Sequence, residues 1–128
     1  MTDYVIWLDS EKAHIFALRT SGVEKTHIEK RTADHHTHSK RDNPQQGEDH
    51  FFHQVAGMIK DADKVLLMGP GLAKNHFKTH LEKHHHGALA KKIVGVENCD
   101  HPTDHQVLAD SRKFFEKYNL FNDPIRAN

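Results

Sequence analysis

The stretch 64-KVLLMGPGLAKNHFKTHL-81 divides into two halves that obey different periods. Lys64 to Met68 is a continuous apolar run of strand length, the pattern of a strand covered on both faces. Gly69-Pro70-Gly71 interrupts it. From Leu72 to about His84 the spacing becomes helical, with Ala73, Phe77 and Leu81 as the buried stripe and Gly87 as a natural stop. Strand, tight turn and helix in this order are the unit of an α/β domain.

Upstream, from Asp3, the runs YVIWLD, KAHIFALR and VEKTHIEKR are rich in β-branched and aromatic residues and are separated by Asp-Ser-Glu and Thr-Ser-Gly. They read as a three-strand meander whose third member, alternating Val23, Lys25 and His27 against Glu24, Thr26 and Ile28, is a wetter edge. Arg31 to Gly47, RTADHHTHSKRDNPQQG, has no period and almost no apolar residue, and predicts a long exposed loop. Structureless loops beyond about 12 to 15 residues are uncommon in compact domains and tend to carry function or disorder. A helix follows from Glu48, with Phe52, Val55, Ala56 and Ile59 on one face.

Downstream, Ile93 to Val96 reads as another strand. After Pro102, Thr103-Asp104-His105-Gln106 is a capping-box pattern that opens a last helix with Val107, Leu108, Phe114 or Phe115, and Tyr118 as its core stripe. Residues 121–128 are expected to fray. The sum is an α/β domain with a mixed five-stranded sheet, a three-strand meander plus two parallel strands joined by a right-handed crossover, covered by helices in the ribonuclease H-like strand order. A chain of 128 residues holds one such core, so 1–128 reads as a single domain.

Eighteen basic residues balance eighteen acidic ones, so no overall field draws the chain to nucleic acid. The distribution is uneven: Lys74 to Lys92 holds five lysines and one acid, Glu82, among histidines, whereas Glu97 to Glu116 is mostly acidic. The 14 histidines are the compositional anomaly, since imidazole titrates near pH 6.5. No apolar stretch is long enough for a membrane, and the acidic MTDYVIWLDS start is unlike a signal peptide, which predicts a cytoplasmic protein. The lone Cys99 reads as a small, partly buried apolar side chain.

These residues resemble a known family. Gly69, Pro70, Gly71, Leu72, Lys74 and Phe77 are similar to the segment of the Pelota middle domain in which a buried strand runs through Gly-Pro-Gly into a helix bearing a basic residue and a Phe. SKRDNPQQGEDHFFHQV resembles the Pelota stretch in which a basic loop, here Lys40 and Arg41, precedes a helix opening with acidic and aromatic residues, here Phe51 and Phe52. The order of elements agrees from about Tyr4 to Tyr118. The resemblance, to Pelota and the archaeo-eukaryotic release factors, implies the release-factor middle-domain fold in isolation, since both relatives carry flanking domains, and a role on ribosomes. Release factors bear Gly-Gly-Gln in the corresponding loop to promote hydrolysis of peptidyl-tRNA; the nearest string here is Gln45-Gln46-Gly47. Pelota also lacks that motif and acts in ribosome rescue without hydrolysing the ester.

The leading expectation is therefore a non-catalytic translation factor that contacts ribosomal RNA or tRNA through Arg31, Lys40, Arg41, Lys74, Lys78 and Lys83, with Lys30, Lys91 and Lys92 nearby. Gly69 and Gly71 at a helix start, with Lys74, form a candidate anion-binding turn, although neither the P-loop nor the GxGxxG pattern is present; a tight turn alone also accounts for the glycines. His76, His80 and His84, at i, i+4 spacing, are candidate ligands for zinc or nickel, with His35, His36 and His38 as adventitious contributors; a solvated basic face is the plainer reading. Otherwise no cofactor is expected. A histidine-rich metal-binding or pH-responsive protein is the alternative function. Asp9, placed where a nuclease carboxylate would stand, reads as a turn residue with Ser10, and no catalytic residue is assigned. The wet third strand offers an edge for a homodimer.

Overall fold

A strand covered on both faces must offer apolar side chains at successive positions, and β1 (Thr2–Leu8) does so. Tyr4, Ile6 and Leu8 enter one core while Val5 and Trp7 enter a second on the opposite side of the sheet. The computed structural model describes residues 2–30, 44–84 and 87–122. In it β1 pairs antiparallel with β2 (Lys12–Arg19), which pairs antiparallel with β3 (Gly22–Glu29). On its other side β1 pairs parallel with β4 (Ala62–Gly69), and β4 with β5 (Ile93–Asn98). The order β3-β2-β1-β4-β5 is the expected mixed five-stranded sheet, with the two most apolar strands in its centre and the polar, exposed β3 at an edge.

Each face receives its own helices. α1 (Pro44–Met58), α2 (Ala73–Lys83) and the short α3 (Gly87–Ala90) close the first core through Phe51, Phe52, Val55, Phe77, Leu81 and Ala90. α4 (Asp104–Asn122) closes the second with Val107 and Phe115. Its start is capped as the sequence suggests, the Gln106 N–H donating to Thr103 Oγ1 at 3.2 Å. No described helix is long and apolar enough to cross a membrane.

Three boundaries differ from expectation. α1 begins at Pro44 rather than Glu48, because proline at a first helical position gives up a donor that has no partner there in any case; residues 31–43 of the expected loop lie outside the described residues. α4 continues through Asn122, so residues 121 and 122 are helical, and the rest of the expected frayed tail lies outside the described residues. α3 is a single turn of Gly-Ala-Leu-Ala, too short to show a period.

Gly69, the last residue of β4, has φ +153°, and a Cβ there would stand 2.0 Å from the carbonyl oxygen of Leu8. Its own carbonyl accepts the Cys99 N–H at 3.0 Å. Backbone on both sides leaves no side chain that could yield. At Gly71 an added Cβ meets nothing within 4 Å. Gly69→Ala is therefore expected to lose about 3 kcal/mol of stability and Gly71→Ala to stay within about 0.5 kcal/mol of the parent, both read from urea denaturation.

Candidate functional site

On α2, residues three, four and seven apart share a face, so Lys74 and His80 fall on the same inward side as Ala73, Phe77 and Leu81. α1 lies across that side: the Phe52 ring is 5.4 Å from Phe77 and 5.3 Å from His80. His80 stacks on His84 at 4.3 Å, and His53 of α1 meets His80 edge-on at 4.8 Å and His84 at 5.8 Å. His80 Nδ1 lies 3.4 Å from Asp49 Oδ1, and the His80 side chain is 3% exposed. Burial first, then the neighbouring His84 and His53, hold the His80 imidazole below its ordinary titration range, against the pull of Asp49. A cavity of about 270 Å³ opens beside the cluster, lined in part by Glu48, Asp49, His76, His80 and His84.

Of the histidine row on α2, the fold brings His80 and His84 together with Asp49; among the described residues this is the one grouping of imidazole, thiol and carboxylate side chains close enough to share an ion. His76 is not part of it and lies against Glu48 instead, Nδ1 to Oε2 3.6 Å. Asp49 and His53 escaped the sequence reading because both flank the apolar stripe of α1. Their spacing was the available signal, since Asp49 and His53 repeat the i, i+4 interval of His80 and His84.

The candidate anion-binding turn is filled by the protein itself. Lys74 is 2% exposed and its Nζ donates to the Gly71 carbonyl, so its ammonium braces the turn and does not face an outside phosphate. Lys78 is half-buried and Lys83 exposed on α2, Lys91 is exposed and Lys92 half-buried beyond α3. Arg31, Lys40 and Arg41, like His35, His36 and His38, lie outside the described residues. The two flanks of that segment meet on the α1 side, where a Cβ on Gly47 would stand 3.4 Å from Lys30 Cε. Asp9 Oδ1 accepts the N–H groups of Glu11 and Lys12 at 2.8 and 2.9 Å, the geometry of a turn residue.

A second cavity, about 190 Å³, lies on the α4 side between Trp7, His14, Phe16, His101 and Asp104. The Trp7 ring stands 5.7 Å from His14 and 5.0 Å from His101, and its Nε1 donates to the Asp100 carbonyl at 2.8 Å. Burial, with Lys25 and His27 adding to it, pushes the His14 imidazole below its ordinary range.

The fold is a mixed α/β domain of the type found in Pelota and an archaeal release factor. A Pelota homolog of Methanococcus vannielii is 30% identical over 98 residues, a match that spans 76% of this chain and 27% of that protein. The sheet and helices superpose on Archaeoglobus fulgidus Pelota with a TM-score of 0.60 at 20% identity, covering 88% of this chain and 31% of that one. They superpose on the archaeal translation termination factor aRF1 with a TM-score of 0.56 at 14% identity, covering 93% and 40%. The chain thus spans about a quarter of the Pelota homolog's length. No protein-family model matches the sequence. The resemblance to Pelota thus appears in sequence and in fold.

A histidine whose folded pKa is depressed stabilises the fold fully while it is neutral, above about pH 6.5, and loses that contribution as the pH falls towards the lower folded value. The thermal midpoint is expected to drop between about pH 7.5 and about pH 5, and His14→Phe, which keeps a ring beside Trp7 but cannot bind a proton, should drop less when followed by circular dichroism.

Proposed function

We propose that the chain is a translation-associated domain, equivalent to a Pelota middle domain, that contacts ribosomal RNA or tRNA in the cytoplasm without catalysing peptide release. The observation that carries this reading is the agreement of two comparisons: 30% identity to a Pelota homolog over 98 residues, and a shared fold with Pelota and a translation termination factor. The sequence contains no Gly-Gly-Gln, so the reading is one of binding and positioning and not of ester hydrolysis. Asp9 supports the same view, since its carboxylate is engaged in the β1–β2 turn.

RNA contact on this reading runs through the solvent-facing lysines of α2, half-buried Lys78 and exposed Lys83, and the basic segment that precedes α1. Lys78 and Lys83, with Lys91 and Lys92 after α3, offer ammonium groups for phosphates, and the sequence adds Arg31, Lys40 and Arg41 to the basic set. Lys74 is assigned a different task, bracing the turn from within. The outer edge of β3 carries no strand among the described residues and is where a second copy would add to the sheet.

Co-sedimentation with ribosomes at low and high salt tests the proposal. The protein should pellet with ribosomes at low salt and be released at high salt, as counterion-driven binding requires. Charge reversal of Lys78 and Lys83 together should weaken binding about tenfold and reduce the salt slope by about 2. Lys74→Met should leave the affinity of the folded protein unchanged and lower its stability by about 1 kcal/mol instead. Absence of any ribosome-bound fraction at either salt concentration defeats the reading.

A further inference from the structure

His80 is costly to keep where it is. Its side chain is 3% exposed, it is walled by Phe52, and neither ring nitrogen makes a hydrogen bond to the described residues. The contact to Asp49 Oδ1, at 3.4 Å, is too long to count as a good one. A buried polar group left without a partner costs on its own account, and a leucine or phenylalanine here would pack between the helices without that cost. Two ring nitrogens turned away from water beside a carboxylate and a second imidazole are a donor set.

We infer that Asp49, His80 and His84 form a site for one divalent transition ion, zinc by preference, that clasps α1 to α2. Their ligand atoms lie within 4.8 Å of one another. Zinc takes imidazole nitrogen and carboxylate oxygen at about 2.0 to 2.2 Å, which places neighbouring ligand atoms about 3.4 Å apart in a tetrahedron, so small side-chain rotations close the set. The two helices present matching pairs: Asp49 and His53 are one turn apart on α1, His80 and His84 one turn apart on α2. Water completes the tetrahedron, and the His53 ring, 4.8 Å from His80, borders the set. Two imidazoles and one carboxylate, with no thiolate, suit zinc over metals that prefer sulfur, and Cys99 packs with the opposite core. The positive charge of Lys83 at the cavity mouth opposes a cation, but its side chain is exposed and free to swing into solvent.

The site goes beyond the ribosome reading and stands or falls separately from it. The test is calorimetric titration of zinc into untagged, chelator-dialysed full-length protein, with cobalt(II) as a spectroscopic substitute. One equivalent should bind with a rise in thermal midpoint, and cobalt should give the intense visible absorption of four-coordinate geometry. His80→Phe, which keeps the buried ring, and the more exposed Asp49→Asn and His84→Gln should each weaken zinc by about 100-fold or more, whereas His76→Ala should stay within about threefold. Should His80→Phe fail to fold, the other two substitutions decide the matter. Absence of micromolar binding overturns the inference. So does binding of several equivalents that these substitutions leave unchanged, which marks an adventitious ion only on the histidine-rich remainder of the chain.

Discussion

The carbonyl oxygen of Leu8 occupies the space that any side chain at position 69 would need, and three strands are tied together there. β1 ends at Leu8, β4 ends at Gly69, and β5 hands over to Cys99, whose N–H reaches the Gly69 carbonyl. Because the approach is backbone against backbone, it cannot relax through a rotamer change. The chain leaves this knot with α2 only four residues away, which fixes which side of α2 meets the sheet. Lys74, folded back onto the Gly71 carbonyl, completes the turn from beneath.

What α2 turns inward then determines what α1 can be. Phe77 and Leu81 build the ridge on which Phe52 rests, and the same helical face carries His80 beneath α1. The histidine cluster is therefore placed by the core and not by a loop, and its rings are held by rigid elements on two sides. A neutral imidazole without hydrogen bonds in such a place works against stability. Residues that break the local rule of burial without an evident packing gain are where function is expected to reside.

The sequence was a good guide wherever one period dominated. The meander, the β4 run and the helix after Gly71 follow from alternation, continuous apolarity and 3.6-residue spacing, and their order was enough to place the sheet. Composition alone puts Pro44 and Gly47 in the expected 31–47 loop, yet proline at the first helical residue starts a helix as readily as it ends a loop. Lys74 shows the same error in another form. It stands three residues before Phe77 and seven before Leu81, so its burial was written in the spacing while its charge suggested the surface. For the site, His80 and His84 were found on their own helix, and Asp49 and His53 were not, because contact between two helices depends on how each packs on the sheet. That is information no single-helix period contains.

Glycine-proline-glycine carries fold information more than ligand information in this chain. Gly69 is needed by the sheet, and the Gly71 carbonyl accepts a hydrogen bond from the ammonium of Lys74, a buried residue. On α2 itself the lysines left to face solvent are the exposed Lys83 and the half-buried Lys78. Asp49 stands two residues beyond Gly47, the point where the far flank of the segment between Lys30 and Pro44 touches Lys30. An ion held by Asp49, His80 and His84 would tie α1 to the last turn of α2. The ion and the solvent-facing lysines would then both rest on α2, whose inner side carries His80 and whose exposed side carries Lys83.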